Sequence, residues 1–568
     1  MICMHCSQGQ SCPSLSQCRC DSVYSGVGIY CDSLNLTDSQ MSNVLETILS
    51  SSTFNSVTLL SASYNRLTKI PSQVSKFKSI DQVNFYGNQI TSIPSGSFNL
   101  TSLSSSYVYL ALYGNRITSI ASGAFTFISP TTTVDIALGM NQITQLVSGA
   151  INFISTPTDL IYLSFDDNLI STFAPDFFKL SSSSVHLSFI LNLNHNKITK
   201  LSPGIVNSLS PSRFTLYLSD NLISSVPSST FNGSSSDISF DFSNNSITTI
   251  AQGALNFFSP SMTYLNLRFD DNRLSSIPLN AFNVLSKPTS SFTISFSRNQ
   301  ITSIPLNAFK FALSFNSYVN INLAGNQLTS VPTKVFNFSQ RAQYLNLEFS
   351  NNFIADISSD AFRFAPETQY IIINLYNNVI KTLPAGTFTI SPAFDTSIDI
   401  RLSNNLLNAI PSSAFIFFKP KALHSVILEM SHNQIAAIPS NAFAFVPSTT
   451  SVYISLSYNQ ITTVQSSAFA INATYIDVFL QNNSISTVST NAFNFTSLDQ
   501  YPNVNLDLSS NKLKTLSPSI LTISAASSVH TYSTVYGTLS ATDSLFSSFS
   551  SDFKYQSILL STSACNLD

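Results

Sequence analysis

The side chains best suited to bind an ion or a charged partner are concentrated between residues 166 and 271 of this 568-residue chain. Carboxylates held side by side on one surface would bind a cation or a basic partner. The alternative is an ordinary solvated surface, on which aspartate also favours the turns of the chain. Arg268 is expected to pair with Asp241. Arg401 is expected to pair with Asp399, and such surface ion pairs add little stability. The aspartates of this stretch are Asp166, Asp167, Asp220, Asp241, Asp270 and Asp271.

Aromatic side chains form the second set of candidate binding residues. Tyr453, Tyr458 and Phe479 fall within 27 residues of one another and are the candidate hot spot, because aromatic side chains are favoured at protein interfaces. Single exposed aromatic residues are ordinary, so the other four carry less weight. The aromatic residues expected to point outward are Tyr109, Tyr162, Tyr217, Tyr376, Tyr453, Tyr458 and Phe479.

Catalysis finds no support in the sequence. The histidines have no metal-ligand spacing and stand near no recurring serine or cysteine nucleophile. Only 15 glycines are present, and none forms a glycine-rich phosphate loop. We therefore expect a protein that is not an enzyme and that uses neither a cofactor nor a metal. The histidines are His5, His186, His195, His424, His432 and His530.

The candidate residues are positioned by a repeat that runs through the chain. Asparagine recurs at intervals of 23 to 28 residues, and each asparagine is followed two positions later by Ile or Leu. A period in this range is typical of solenoid proteins, in which each turn packs only against its neighbours. The repeat asparagines are Asn65, Asn88, Asn115, Asn141, Asn168, Asn196, Asn221, Asn245, Asn272, Asn299, Asn326, Asn352, Asn378, Asn405, Asn433, Asn459, Asn483 and Asn511.

Each repeat predicts a strand that ends in a buried corner. Apolar residues stand five and three positions before the asparagine, as Leu191 and Leu193 do before Asn196, and this alternation indicates a strand with one buried face. The asparagine amide has two donors and an acceptor, so it would satisfy the backbone groups of the corner. The residues directly before the asparagines form a column along the edge of the strand face. In the acidic stretch and just beyond it this column contains Asp167, His195, Asp220, Asn244, Asp271 and Arg298.

A column of phenylalanines predicts a second buried spine. In thirteen of the eighteen repeats Phe stands ten positions after the asparagine, which accounts for 45 Phe in a chain without Trp. The segments between are rich in Ser and Thr with little helical patterning, so we expect extended or short 3₁₀ structure there. The thirteen residues are Phe98, Phe125, Phe178, Phe231, Phe282, Phe309, Phe336, Phe362, Phe388, Phe415, Phe443, Phe469 and Phe493.

The motif L-x-x-L-x-L-x-x-N-x-[LI]-x-x-[LIV], followed by the phenylalanine column, resembles the leucine-rich repeat superfamily in its extracellular form. The resemblance covers about residues 57–521. It implies a right-handed, curved solenoid of about 18 repeats of about 26 residues. Its parallel β-sheet would lie on the concave face, and its convex side would be mostly extended or 3₁₀. The outward strand residues and the column before the asparagines are then the expected binding surface.

The cysteines are concentrated at the start of the chain. The spacing from Cys12 to Cys31 resembles the amino-terminal cap of extracellular leucine-rich repeats, and this resemblance would pair Cys12 with Cys20 and Cys18 with Cys31. Zinc is the alternative for clustered cysteines, but these intervals suit a tetrahedral site poorly. The predicted domains are a cap at 1–56, the solenoid at 57–521, and an irregular segment or degenerate final repeats at 522–568. The cysteines left unassigned are Cys3, Cys6 and Cys565.

Eight N-x-[ST] sequons predict N-linked glycans. Chance also generates sequons in a chain this rich in Asn, Ser and Thr. Four of them nevertheless stand eleven positions after a repeat asparagine, namely Asn99, Asn232, Asn337 and Asn494, and would project from one flank. This favours glycosylation and therefore a secreted or cell-surface protein. The eight asparagines are Asn35, Asn99, Asn232, Asn244, Asn337, Asn472, Asn482 and Asn494.

The composition narrows the choice of partners. Charged residues are only 9% of the chain and the net charge is −3, with no basic stripe, so nucleic acid and anionic membranes are not expected partners. No apolar run of about 18 residues occurs, so we expect no membrane span within this chain.

Two functions fit these features, and both are non-enzymatic. The first is a secreted, glycosylated scaffold for protein–protein interaction, including self-assembly of the chain into an extracellular matrix or filament. The second is the ectodomain of a leucine-rich repeat receptor or adhesion protein that binds a ligand on the concave face. The low charge and the odd number of cysteines favour the first function slightly.

Overall fold

The structure is a computed structural model that divides into two compact units, Met1–Arg273 and Leu274–Asp568. Each unit contains nine of the eighteen repeat asparagines. The predicted boundaries at residues 56 and 521 remain predictions. The residues that the structure describes are 17–23, 26–51, 57–101, 106–128, 131–180, 186–201, 211–233, 235–257, 262–278, 291–306, 308–311, 317–333, 335–338, 342–359, 361–362, 368–390, 396–411, 414–417, 423–497, 503–514 and 518–525.

In the first unit, an antiparallel hairpin, Arg19–Val23 with Gly26–Tyr30, begins a sheet that continues in parallel, and we call this sheet the main sheet. One parallel strand precedes each repeat asparagine. Alternate residues point inward, as Val134 and Ile136 do, and their side chains are fully buried. The parallel strands are Val57–Ser61, Gln82–Asn84, Tyr107–Ala111, Thr133–Ala137, Leu160–Ser164, Ser188–Asn192, Arg213–Tyr217, Asp237–Asp241 and Tyr264–Arg268.

Two further kinds of short strand occur in most of the described turns of the first unit. Both are parallel, so the side of the solenoid opposite the main sheet is extended, as predicted. The two-residue strands are Ser92–Ile93, Ser119–Ile120, Gln145–Leu146, Thr172–Phe173, Ser225–Val226 and Thr249–Ile250. The three-residue strands are Phe98–Leu100, Phe125–Phe127, Ile151–Phe153, Phe178–Leu180, Phe231–Gly233 and Leu255–Phe257. A 3₁₀ helix at Ser72–Lys76 replaces them in the first turn.

The second unit repeats this organisation. Its main-sheet strands are Ser291–Ser295, Tyr318–Asn322, Tyr344–Glu348, Tyr370–Asn374, Thr396–Arg401, Leu423–Glu429, Phe443–Ser455, Phe469–Phe479 and Asn503–Asp507. The short strands are Phe309–Phe311, Ser330–Val331, Phe336–Phe338, Asp356–Ile357, Phe388–Ile390, Phe415–Phe417, Ala437–Ile438, Thr463–Val464, Thr487–Val488, Phe493–Ser497 and Leu521–Ala525, with a 3₁₀ helix at Pro518–Ile520. The predicted parallel-strand solenoid is therefore confirmed.

The repeat asparagines form the first buried corner by bonding to the backbone of two turns. Asn196 is 2% exposed, and its Nδ2 donates to the carbonyl oxygens of Leu193 and Asn194 in its own turn and of Phe165 in the turn before. Its Oδ1 accepts a hydrogen bond from the N–H of Ile170 at 2.9 Å. One side chain thus bonds backbone groups of two successive turns at the corner.

The phenylalanines form the second buried spine. In the second unit their rings lie one above another, with centroids 5.0–6.4 Å apart between neighbours. Aromatic pairs at such distances add stability beyond the area that they bury. The stacked residues are Phe309, Phe336, Phe362, Phe388, Phe415, Phe443, Phe469 and Phe493.

The residues before the first repeat are held by a disulfide and a helix. Cys18 and Cys31 are joined by a disulfide bond. Cys20 is also disulfide-bonded. The helix Asp38–Ser50 buries Met41, Val44, Leu45 and Ile48, and the Gln40 side chain accepts a hydrogen bond from the N–H of Thr37 at its start. Cys3, Cys6, Cys12 and Cys565, and with them the Cys12–Cys20 pairing, lie outside the described residues.

Candidate interaction surfaces

The residue before every repeat asparagine adopts a left-handed backbone conformation. All eighteen have φ between 51° and 68°, and we call this column the rim. Glycine, asparagine and aspartate tolerate this conformation, but Met140, Arg298 and Tyr458 adopt it at a cost of about 1 kcal/mol each. The strain is offset by the ladder itself, since the N–H of one rim residue donates to a carbonyl of the next turn, as from Met140 to Asp166.

The predicted acidic residues of the first unit lie on the outer face of its main sheet or on its rim. Asp167 is exposed on the rim. Asp166 accepts a hydrogen bond from the Ser164 hydroxyl, and its carboxylate lies over Gly139, where a Cβ would be only 2.9 Å away. These contacts restrict the orientation of the Asp166 carboxylate.

Asp220 has two partners on the rim. It lies 3.7 Å from the Nε2 atom of His195 and accepts a hydrogen bond from the Asn244 amide. Asp220 therefore contacts both of its neighbours on the rim, His195 and Asn244.

Two arginines of this face pair with aspartates of their own unit. Arg268 was predicted to pair with Asp241, which lies opposite it in the strand register. It instead binds the buried Asp270, at 3.2 Å. Asp270 is only 3% exposed, so it presents little of its charge to a partner. Asp241 accepts a hydrogen bond from the N–H of Ser243 instead. Asp271 is half-buried on the rim and interacts with neighbouring groups.

The second arginine of this face lines a cavity. Arg213 binds Asp237 at 3.2 Å beside a space of about 340 Å³ that is also lined by Thr215, Ser239 and Tyr264. Its charged groups are paired with each other. Among the residues that the structure describes, no three His, Cys, Asp or Glu side chains are placed to hold a metal ion.

The predicted aromatic cluster of the second unit forms two pairs. The rings of Tyr453 and Phe479 lie 5.3 Å apart on neighbouring strands. Tyr458 is 52% exposed on the rim and stacks on His432, with centroids 4.5 Å apart. Burial, followed by the charge of Glu429, raises the pKa of Tyr453. The remaining predicted aromatic of this unit, Tyr376, is exposed.

A second aromatic surface was not predicted from the sequence. In the first unit Tyr64, Tyr86 and Tyr113 lie side by side, with centroid distances of 4.7 and 4.1 Å. Glycine on the rim makes room for them, because a Cβ at Gly87 would lie 3.0 Å from the Tyr64 ring and a Cβ at Gly114 would lie 2.8 Å from the Tyr86 ring. The signal in the sequence was glycine at two successive rim positions.

The Asp135 carboxylate of the first unit has one covered oxygen without a hydrogen-bond partner. Asp135 points outward from the strand Thr133–Ala137, and the strand register places Tyr109 and Tyr162 on its two sides. Its Oδ1 atom is covered and accepts no hydrogen bond, whereas the residue as a whole is half-buried. Burial raises the pKa of Asp135 to about 6. Sequence analysis singled out both tyrosines but not the aspartate between them.

The predicted glycosylation sites differ in accessibility. Asn35, Asn99 and Asn244 are exposed, although the Asn244 amide donates to Asp220. Asn472, Asn482 and Asn494 are half-buried, and the Oδ1 of Asn472 is covered without a hydrogen-bond partner. The side chains of Asn232 and Asn337 lie outside the described residues.

Comparison with known proteins finds solved structures of low sequence identity. No protein-family model matches the sequence, and no curated protein matches it. Among solved structures, a chain of the Drosophila Toll–Spatzle complex is 16% identical, with a TM-score of 0.43 over 72% of this chain and 54% of that chain. The matched region thus spans about half of that chain.

Two further leucine-rich repeat structures are similar to this chain. A leucine-rich repeat protein of Leptospira interrogans is 17% identical, with a TM-score of 0.37 over 71% of this chain and 86% of its own. The leucine-rich repeat domain of LRIM1 is 16% identical, with a TM-score of 0.31 over 55% and 78%. In the part of this chain that the structure describes, no helix has the length and apolar character needed to cross a membrane.

Proposed function

We propose that this protein is a non-enzymatic extracellular scaffold that binds a protein partner on the outer face of the first unit's main sheet. The observation that supports this is the charge of that face. Between residues 107 and 271 it carries eight aspartates and only two arginines on its outward strand positions and rim. Both arginines are paired with aspartates. The face therefore keeps a net negative charge that complements a basic surface.

The contrast between the inward and outward columns supports a role in recognition. Inward positions hold aliphatic residues or Phe in turn after turn, because each must pack on its counterpart in the next turn. Outward positions of the same strands hold Asp, Arg, Tyr, Asn and Ser in no fixed order. Aspartate suits the left-handed backbone of the rim, whereas the strand positions of Asp135 and Asp241 do not require it.

The extracellular location rests on the disulfide and the sequons. The Cys18–Cys31 bond would persist in an oxidising compartment. Expression of the chain through a eukaryotic secretory pathway should give a mass that falls when N-linked glycans are removed enzymatically. A chain of unchanged mass after this treatment would contradict the N-glycosylation.

A variant of the acidic face tests the binding function. We would replace Asp166, Asp167, Asp220 and Asp241 by Asn and compare the variant with the wild-type chain in capture from extracellular fluid of the source organism. The control carries Asp176→Asn, since Asp176 is exposed away from the main sheet and pairs with Lys179. A partner retained by the wild type and the control and lost from the face variant is the expected result. Capture that is equal for all three chains would contradict the proposal.

Sedimentation of the purified chain alone distinguishes the two kinds of partner. If the partner is a second copy, the mass should rise with concentration for the wild type and the Asp176 control but not for the face variant. If the partner is another protein, the chain should stay monomeric at all concentrations.

A further inference from the structure

Asp135 and Asp399 occupy the same place in their turns, six positions before a repeat asparagine. Asp399 is almost buried, and Arg401 supplies its cation at 2.7 Å from two positions further along the strand. The residue in the corresponding position after Asp135 is Ala137. Asp135 accordingly receives no ion pair from its own strand.

The strands on either side supply no cation to Asp135 either. Tyr109 and Tyr162 flank it directly, and the next outward positions on those strands are Ala111 and Ser164. Both of these are small and buried. The strand register thus places the carboxylate between two tyrosines, and small side chains stand beside it where the other turn has Arg401.

We propose that Asp135 binds a lysine or arginine side chain of the protein partner, with Tyr109 and Tyr162 on either side of the cation. This deepens the proposed function by naming the chemistry that the partner presents. The cation would take the place that Arg401 occupies beside Asp399.

Three features of this place suit a cation. The carboxylate offers a charge-assisted hydrogen bond, which is stronger than a neutral one. Tyrosine rings attract a cation over their faces. Asp166, held by Ser164 on the adjacent strand, adds negative charge on the same outer face. Arginine fits the place best, because its planar guanidinium can both stack on a ring and bond a carboxylate.

The test uses the full chain and short labelled peptides as probes. Fluorescein-labelled Gly-Gly-Arg-Gly-Gly is titrated by fluorescence anisotropy, with the citrulline peptide as the neutral isostere and the lysine peptide as the second cation. We expect the arginine and lysine peptides to bind the wild-type chain, and the citrulline peptide to bind about tenfold more weakly.

Two variants test the residue from opposite directions. Asp135→Asn removes the charge, and Ala137→Arg supplies a cation from within the chain in the geometry of Asp399 and Arg401. Both should weaken arginine-peptide binding about tenfold. The matched control is Asp477→Asn, since Asp477 stands at the same strand position beside Tyr453 but has Asn505 on its other side. The control should bind like the wild type.

The outcomes separate this site from the proposed function. No binding of the arginine peptide by the wild type at millimolar concentration, or equal losses in the Asp135 and Asp477 variants, would overturn the site. A partner captured through the acidic face and unaffected by both Asp135→Asn and Ala137→Arg would also overturn it. Peptide binding that depends on Asp135, in a chain that captures no partner, would support the site and count against the proposed function.

Discussion

Asp135 in the first unit and Asp399 in the second stand at the same position of the repeat but in opposite surroundings. Asp399 is flanked by Ile372 and Ile427 and is bonded by Arg401 through both Nε and Nη2. Asp135 is flanked by two tyrosines and has no cation. The outer face of the main sheet therefore accommodates a carboxylate in two ways, one that is complete within the chain and one that lacks its counter-charge.

The difference shows how a structural and a binding residue can be distinguished in a repeat protein. An internal ion pair satisfies Asp399, so its presence is explained by the fold. Asp135 loses hydration without gaining a partner, so it opposes folding at neutral pH. A group that destabilises the structure and has no partner within the chain is a candidate for function.

The largest effect is expected when the complete pair is broken. Arg401→Met should leave the Asp399 carboxylate buried and unpaired, and it should lower the free energy of local unfolding by about 3 kcal/mol. Hydrogen exchange of the amides in Thr396–Arg401 measures this, because solenoids can open locally. The double variant with Asp399→Asn should recover most of the loss. Equal protection in Arg401→Met and the wild type would show that the pair adds nothing.

Supplying Asp135 with a cation from within the chain should increase stability. Ala137→Arg places a guanidinium two positions after Asp135 and should stabilise the strand Thr133–Ala137 by about 1 kcal/mol at pH 7. Denaturant unfolding and hydrogen exchange of that strand are the measurements. The control is Ala137→Gln, which adds a long side chain without a charge. A gain of equal size in the control would mean that packing, and not charge, is responsible.

Removing the unpaired charge should also stabilise the protein, and the effect should depend on pH. The pKa of Asp135 is raised from its ordinary 3.8 to about 6 in the folded state, so the folded state binds the proton more tightly than the unfolded chain. Stability from this group is therefore greatest below pH 4 and is lost as the pH rises to about 6. With allowance for solvent exposure, the loss is about 1 kcal/mol.

The variants of the two aspartates should then behave differently. Asp135→Asn should be about 1 kcal/mol more stable than the wild type at pH 7 and should not show the loss between pH 4 and 6. Asp399→Asn should be less stable than the wild type at pH 7. Unfolding curves at pH 4, 5, 6 and 7 provide the comparison, and parallel curves for Asp135→Asn and the wild type would contradict it.

The smallest effect concerns the aromatic neighbours. Tyr162→Leu uncovers one side of Asp135, so its pKa should fall part of the way toward the ordinary value. Carboxyl ¹³C NMR of labelled aspartate measures the titration. Tyr217→Leu serves as the control, because Tyr217 is exposed on another strand and does not flank Asp135. An unchanged titration in Tyr162→Leu would show that the tyrosine is not the source of the burial.

Most of the fold could be predicted because its determinants repeat. Asn196 bonds to the equivalent corner of the turn before, and Phe388 stacks on the phenylalanines of the two adjacent turns. A residue type that recurs at a fixed interval therefore reveals the packing. The helix Asp38–Ser50 was not predicted. Its sequence nevertheless has ordinary helix signals: Thr37 with Gln40 marks the start, and the spacing of Met41, Val44 and Ile48 marks a buried helix face.

Less of the candidate surface could be predicted, because the period does not encode which side chains pair with one another. The register placed Arg268 opposite Asp241, yet a carboxylate two residues away in its own turn, Asp270, is its partner. The stacking of Tyr64, Tyr86 and Tyr113 likewise depends on the space left by two glycines.

The sequence by itself determined the repeat, the inward columns and the positions that face outward, because packing between identical neighbours leaves a periodic record. Only the tertiary structure decided which outward charges are satisfied. The ionic partner of a side chain depends on rotamers and on neighbours about 26 residues away in the chain, and the burial of a carboxylate depends on what flanks it. Asp135 and Asp399 share a place in the repeat pattern, and their different neighbours make one a structural residue and the other a proposed binding residue.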